Sequence, residues 1–150
     1  MEILSTHVAR EWVDYNGHMN DAEYARVFSL AVEAVMQRIG LDAEGRAQHH
    51  YTLYTLETHL CYRQQAQEGQ PLGVTVQILN RDAKRLHLFF ELEGSERAQL
   101  ATSEQMLMGI DTLSGRPAPF PAAVEAAIDQ LPACDEHRWP SLAGRSIAIP

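Results

Sequence analysis

The chain has 150 residues, enough for one domain with a substantial core, and its 45% hydrophobic and 21% charged content is that of an ordinary globular protein. A formal net charge of −8 excludes a general nucleic-acid binder, since nothing basic is concentrated enough to neutralise a run of phosphates; one small anionic ligand held by a local Arg/Lys group stays open. Cys61 and Cys134 have neither disulfide-framework nor zinc spacing, the opening residues lack a basic region and a long apolar run, and no stretch is long enough to cross a membrane, so a cytoplasmic protein is expected.

In chain order, residues from about Ile3 to Val13 read as a strand. A polar turn follows, Asp14-Tyr15-Asn16-Gly17-His18-Met19-Asn20. The next segment, about Asp21 to Ile39, places Tyr24, Phe28, Ala31, Val32, Val35, Met36 and Ile39 on one helical stripe, and Gly40 ends it. Residues Leu41 to His49 read as a polar connection. Tyr51 to Tyr62 is rich in aromatic and β-branched residues and reads as a long strand. Gln64 to Pro71 turns, and Leu72 to Leu79 is another strand. A reversal at Asn80–Ala83 leads to a strand from Arg85 to Glu93, in which Leu86, Leu88, Phe90 and Leu92 alternate with His87, Phe89, Glu91 and Glu93. Gly94-Ser95 turns again, and Gln99 to Asp111 is the last strand. Three prolines stiffen the exit, a short helix covers about Ala122 to Leu131, and Pro132 to Pro150 reads as an irregular tail. One long helix against one antiparallel sheet gives an α+β two-layer domain over residues 1–131, with 132–150 as a C-terminal tail. The remaining sheet edge invites a partner, so a homodimer or homotetramer is expected.

The polar turn carries the most chemical information. It delivers Asp14 close to a helix N-terminus, where unpaired N–H groups and the helix dipole favour negative charge; a fixed carboxylate beside such donors suits acyl transfer. The same residues also describe a plain capped turn, with Asn20 as N-cap, Glu23 as its capping-box partner and Gly17 at a positive φ. The histidines show no HxxxH or HExxH spacing, so no metal is assigned, and no Gly-rich phosphate loop or serine-nucleophile elbow is present.

An aspartate three residues before a glycine, followed by a long helix and then several antiparallel strands, resembles the hotdog-fold acyl-CoA thioesterases of the 4-hydroxybenzoyl-CoA thioesterase branch. The segments Trp12–Met19, Tyr54–His59, Lys84–Phe89 and Glu104–Leu107 are further similar to the thioesterases associated with carnitine dehydrogenase, which act on betainyl-CoA during carnitine breakdown. The resemblance implies a hotdog fold, with the sheet wrapped round the central helix, and hydrolysis of a short acyl-CoA to free acid and CoA, with no cofactor beyond the CoA of the substrate.

By the same resemblance Asp14 is the catalytic carboxylate, as nucleophile or general base, and the backbone amide near Asp21 polarises the thioester oxygen. Asn16 and His18 either orient the acid and its water or merely support the turn. Glu57 and His59 share a strand face; Glu57 either counters a trimethylammonium charge or lies on an exposed face, and Glu104 raises the same question. Trp12, Tyr15, Tyr24 and Tyr54 are candidates for an aromatic cage, against plain packing. Arg63, Arg81, Lys84 and Arg85 are candidates for gripping CoA phosphates, against ordinary solvated hairpin charges. Two readings from other classes stand beside the hydrolase: a non-catalytic hotdog protein holding a CoA ester or quaternary amine, and a hotdog dehydratase, whose histidine–acid pair the Asp14–Gly17 spacing does not resemble.

Overall fold

The computed structural model describes residues 1–150. Six strands form one antiparallel sheet: β1 (Glu2–His7), β2 (Tyr51–Tyr62), β3 (Pro71–Arg81), β4 (Arg85–Glu93), β5 (Gln99–Asp111) and the two-residue β6 (Arg116–Pro117). Their spatial order is β1-β3-β4-β5-β2, with β6 continuing beside β5 beyond the start of β4. Three helices, α1 (Asp21–Arg38), α2 (Ala43–His49) and α3 (Ala122–Ile128), complete the chain. Together they make the α+β hotdog arrangement, with α1 against the inner face of the sheet. No helix is long and apolar enough to cross a membrane.

Alternation on the strands separates the two faces. Leu86, Leu88, Phe90 and Leu92 of β4 pair across the ladder with Leu107, Gln105, Ser103 and Ala101 of β5, and the four β4 residues join Val27, Phe28, Ala31 and Val35 of α1 in one buried cluster. The polar pair on this face satisfies itself, Gln105 donating from Nε2 to Ser103 Oγ at 3.0 Å. The outer face carries His87 and Phe89 of β4, Glu104 and Met106 of β5, and Glu57 and His59 of β2.

Three expected elements differ. The first strand stops at His7, because its partner begins at Pro71, opposite His7, leaving no ladder beyond; Arg10–Trp12 forms a 3-10 turn instead. The expected connection Leu41–His49 contains α2, capped by Asp42, whose side chain accepts from Gly45 N at 2.8 Å. Glycine in a seven-residue helix hides it from propensity, but a Cβ at Gly45 would fall 1.9 Å from the Gly40 carbonyl oxygen, so close packing requires glycine there. The last helix ends at Ile128 rather than Leu131, the chain tightening there into turns with Gln130 N donating to Ala127 O and Leu131 N to Ile128 O.

The tail wraps the domain. Ile78 N donates to Pro132 O and Cys134 N donates to Ile78 O, so residues 132–134 take over the edge of β3 beyond the start of β1. The chain then crosses the outer face, where Trp139 meets the ring of His87 edge-on at 5.4 Å and Gly144 N donates to Glu104 at 2.7 Å. Phe89, outward by alternation, is accordingly buried. The outer edge of β2 has no strand beside it.

Candidate functional site

The turn after the first 3-10 segment closes on itself: Asp14 N donates to His18 O and Gly17 N donates to Asp14 O, both at 3.0 Å, with Val13 bridging Met19. Gly17 sits at φ +79°, a conformation costly for any residue with a Cβ. The Asp14 carboxylate is fixed by Asn16, whose backbone N–H donates to Oδ1 at 2.9 Å. No Lys or Arg pairs with it.

Helix α1 begins at once. Asn20 is its N-cap, accepting from Ala22 N through its side chain at 3.0 Å and from Glu23 N through its carbonyl at 2.9 Å. The other half of the expected capping box is missing: Glu23 pairs with Arg26 at 2.6 Å, and Asn20 N donates to Trp12 O instead. Of the first three helical amides, Asn20 therefore satisfies two, and the Asp21 N–H has no partner in the protein.

Asp14, Asn16, His18 and Asp21 line one cavity of about 410 Å³, together with Met19, Tyr24, Tyr62, Arg63, Gln64 and Gln65. Its far wall is the end of β2 and the segment after it, braced against the turn and helix. Tyr24 accepts from Ala66 N and donates to Gln64 O, both at 3.1 Å; Met19 N donates to Ala66 O at 2.8 Å; and the Tyr62 hydroxyl donates to Asp21 O at 3.2 Å. The Tyr24 and Tyr62 rings meet edge-to-face at 5.2 Å. Burial holds the Tyr24 hydroxyl above the ordinary phenol range, and the Ala66 amide offsets part of that. The cavity therefore brings together the fixed Asp14 carboxylate, Asp21 at the head of α1 and one arginine.

The structure divides the other candidates. Arg63 lines this cavity and is its one Lys or Arg. Arg81, Lys84 and Arg85 sit at the β3–β4 hairpin, where Arg81 pairs with Asp129 and Arg85 Nε with Asp82 at 2.7 Å. Arg85 lies seven positions along β4 from Leu92, whose row reaches Tyr62, roughly 23 Å at about 3.3 Å per residue. Within one protomer the hairpin cations are therefore remote from Asp14.

Glu57 is exposed on the outer face opposite Met106. His59 is on that face too, its Nε2 3.6 Å from Cys61 Sγ, and Tyr54 is exposed there. Glu104 bonds to His87 at 2.7 Å and to the tail. No expected cage assembles in the protomer: Trp12 packs against the core, Tyr15 is 97% exposed and outside the cavity lining, and of the four candidates only Tyr24 lines it, largely buried. Tyr62, Gln64 and Gln65 were missed. Tyr62 lies forty-one positions from the carbonyl it touches, so no local spacing signals it; its one sequence cue is adjacency to Arg63. No group of three His, Cys, Asp or Glu side chains is placed to hold a metal.

Residues 8–128 match the family model described as the thioesterase-like superfamily. The chain is 42% identical to the betainyl-CoA thioesterase of Pseudomonas aeruginosa, over 99% of this chain and 97% of that one. It is 37% identical to an L-carnitine dehydrogenase/betainyl-CoA thioesterase of Agrobacterium fabrum over 98% of this chain, which spans only 30% of that longer protein. Among solved structures, a Staphylococcus aureus protein in complex with CoA superposes with a TM-score of 0.89 at 33% identity, covering 100% of this chain and 96% of its own.

Proposed function

The chain belongs to the thioesterase-like superfamily and is a thioester hydrolase, and we propose that its substrate is betainyl-CoA, cleaved to betaine and CoA in carnitine degradation with Asp14 as the reacting carboxylate. The observation that carries the reading is one cavity lined both by Asp14, whose carboxylate the turn fixes, and by Asp21, the first residue of α1, whose N–H has no partner in the protein. The near-full-length likeness to a betainyl-CoA thioesterase supports the choice of acyl group, and the likeness to a CoA-bound structure supports the leaving group.

In the proposed chemistry the Asp21 amide donates to the thioester oxygen and stabilises the charge that develops on it. Asp14 then serves in one of two ways. As general base it takes a proton from water while the water oxygen adds to the carbonyl; as nucleophile it adds directly, and water later cleaves the mixed anhydride. Either way the tetrahedral adduct collapses by breaking the C–S bond, and the CoA thiolate leaves and takes up a proton. Asn16 holds the carboxylate through its amide, His18 borders the attack site, and Arg63 is the cation nearest for a CoA phosphate.

Thiol release from betainyl-, acetyl-, 4-hydroxybenzoyl- and a medium-chain acyl-CoA tests the reading. The expected result is the highest kcat/KM for betainyl-CoA. Preference for a neutral ester would discard the cationic acyl group, and no release from any ester would turn the site into one for binding alone.

A further inference from the structure

We propose that the ring of Tyr62 is the specificity-determining wall of the Asp14 cavity, the surface that receives a quaternary ammonium on the acyl group; this rests on the betainyl-CoA reading. In such a thioester the nitrogen is separated from the carbonyl carbon by a single methylene. Whatever recognises the cation must therefore stand in the same cavity as the carboxylate that reacts with the carbonyl. Among aromatic side chains only Tyr24 and Tyr62 line that cavity. Tyr24 is 3% exposed and its hydroxyl is tied to the backbone at both Gln64 and Ala66. Within the protomer Tyr62 is 50% exposed, so of the two rings it is the one open to a ligand in the cavity.

The ring is also held in place. Its hydroxyl donates to Asp21 O at 3.2 Å and its flank meets Tyr24 edge-to-face, so little side-chain freedom remains to be lost on binding. Burial first, then the charge of Asp21 and the neighbouring Tyr24, hold the hydroxyl above the ordinary phenol range. Asp14 and Asp21 outnumber the one cation, Arg63, around the same space, a balance that suits a methylated ammonium, while the methyl groups need no hydrogen-bond acceptors and suit a π face.

The test compares betainyl-CoA with 3,3-dimethylbutanoyl-CoA, its uncharged isostere in which carbon replaces nitrogen. The ratio of kcat/KM values is measured for the wild type, Tyr62→Phe, Tyr62→Leu and Tyr62→Gln, with circular dichroism as a check on folding. Wild type and Tyr62→Phe should favour the cation, and the two non-aromatic variants should lose roughly tenfold of that preference. At a half-exposed strand end both replacements are sterically mild, and the loss should appear in each variant that folds. A cation preference undiminished in Tyr62→Leu or Tyr62→Gln overturns the role of Tyr62 and leaves the substrate reading standing. A wild type with no cation preference removes the substrate reading itself, and Tyr62's role with it.

Discussion

Asp14 owes its position to backbone rather than to charge. Its Oδ1 accepts from Asn16 N, its own amide and carbonyl close the turn through His18 and Gly17, and no cation neutralises it. A carboxamide can accept the same Asn16 bond, so Asp14→Asn should keep the turn and the fold while removing both the negative charge and the nucleophilic oxygen. The expected loss in kcat is at least about 10²-fold, the scale of a missing general base, with the denaturation midpoint nearly unchanged. This residue was legible in the sequence because the bonds that it makes itself all lie within the turn from Asp14 to His18. The partner chemistry across the cavity was not: Tyr62 and Gln64 arrive from the end of a distant strand, and only the fold brings them to α1.

At the scale of elements, the β2 start and the stretch that leads into α3 are pinned by one buried phenol. Tyr51 is 3% exposed, meets Phe120 edge-on at 6.2 Å and donates to Ala118 O at 2.6 Å. Burial pushes its pKa up to about 12. The folded value is raised above the unfolded one, so Tyr51 contributes its full stability below about pH 10; that contribution is lost as pH rises towards 12, because the unfolded chain releases a proton the folded chain retains. Denaturation midpoints should therefore fall between about pH 10 and 12, and Tyr51→Phe should flatten that alkaline slope while lowering stability at neutral pH by about 1 kcal/mol for the lost hydrogen bond. An alkaline slope unchanged in the variant would contradict this. The long elements were readable from periodicity: β4 and β5 begin and end at the expected residues. The short ones were not, since α2 depends on Gly45 fitting against Gly40 and the first strand stops at Pro71's side of the ladder, facts of packing that no window of sequence contains.

The whole molecule has one unfinished side. β1 and residues 132–134 close the β3 edge, the tail covers part of the outer face, and β2 remains a twelve-residue edge with Leu56 and Tyr54 about half exposed. Long edges of this kind pair with another chain unless charge or proline blunts them. We predict a homodimer in which β2 runs antiparallel to its copy. Sedimentation should give twice the chain mass of 16.8 kDa, and Leu56→Lys should shift it towards monomer; a wild-type monomer at micromolar concentration would contradict the pairing. Antiparallel pairing also lays the Tyr51 end of one strand beside the Tyr62 end of the other, which is how the hairpin cations Arg81, Lys84 and Arg85 would approach a site that they cannot reach in their own protomer. The sequence showed these residues as candidates without showing that they belong to opposite ends of one sheet. Thiol release from betainyl-CoA by the wild type and by folded Asp14→Asn tests whether Asp14 performs thioester cleavage: rapid release by the first and a loss of about 10²-fold or more in the second is expected, whereas equal rates would contradict it.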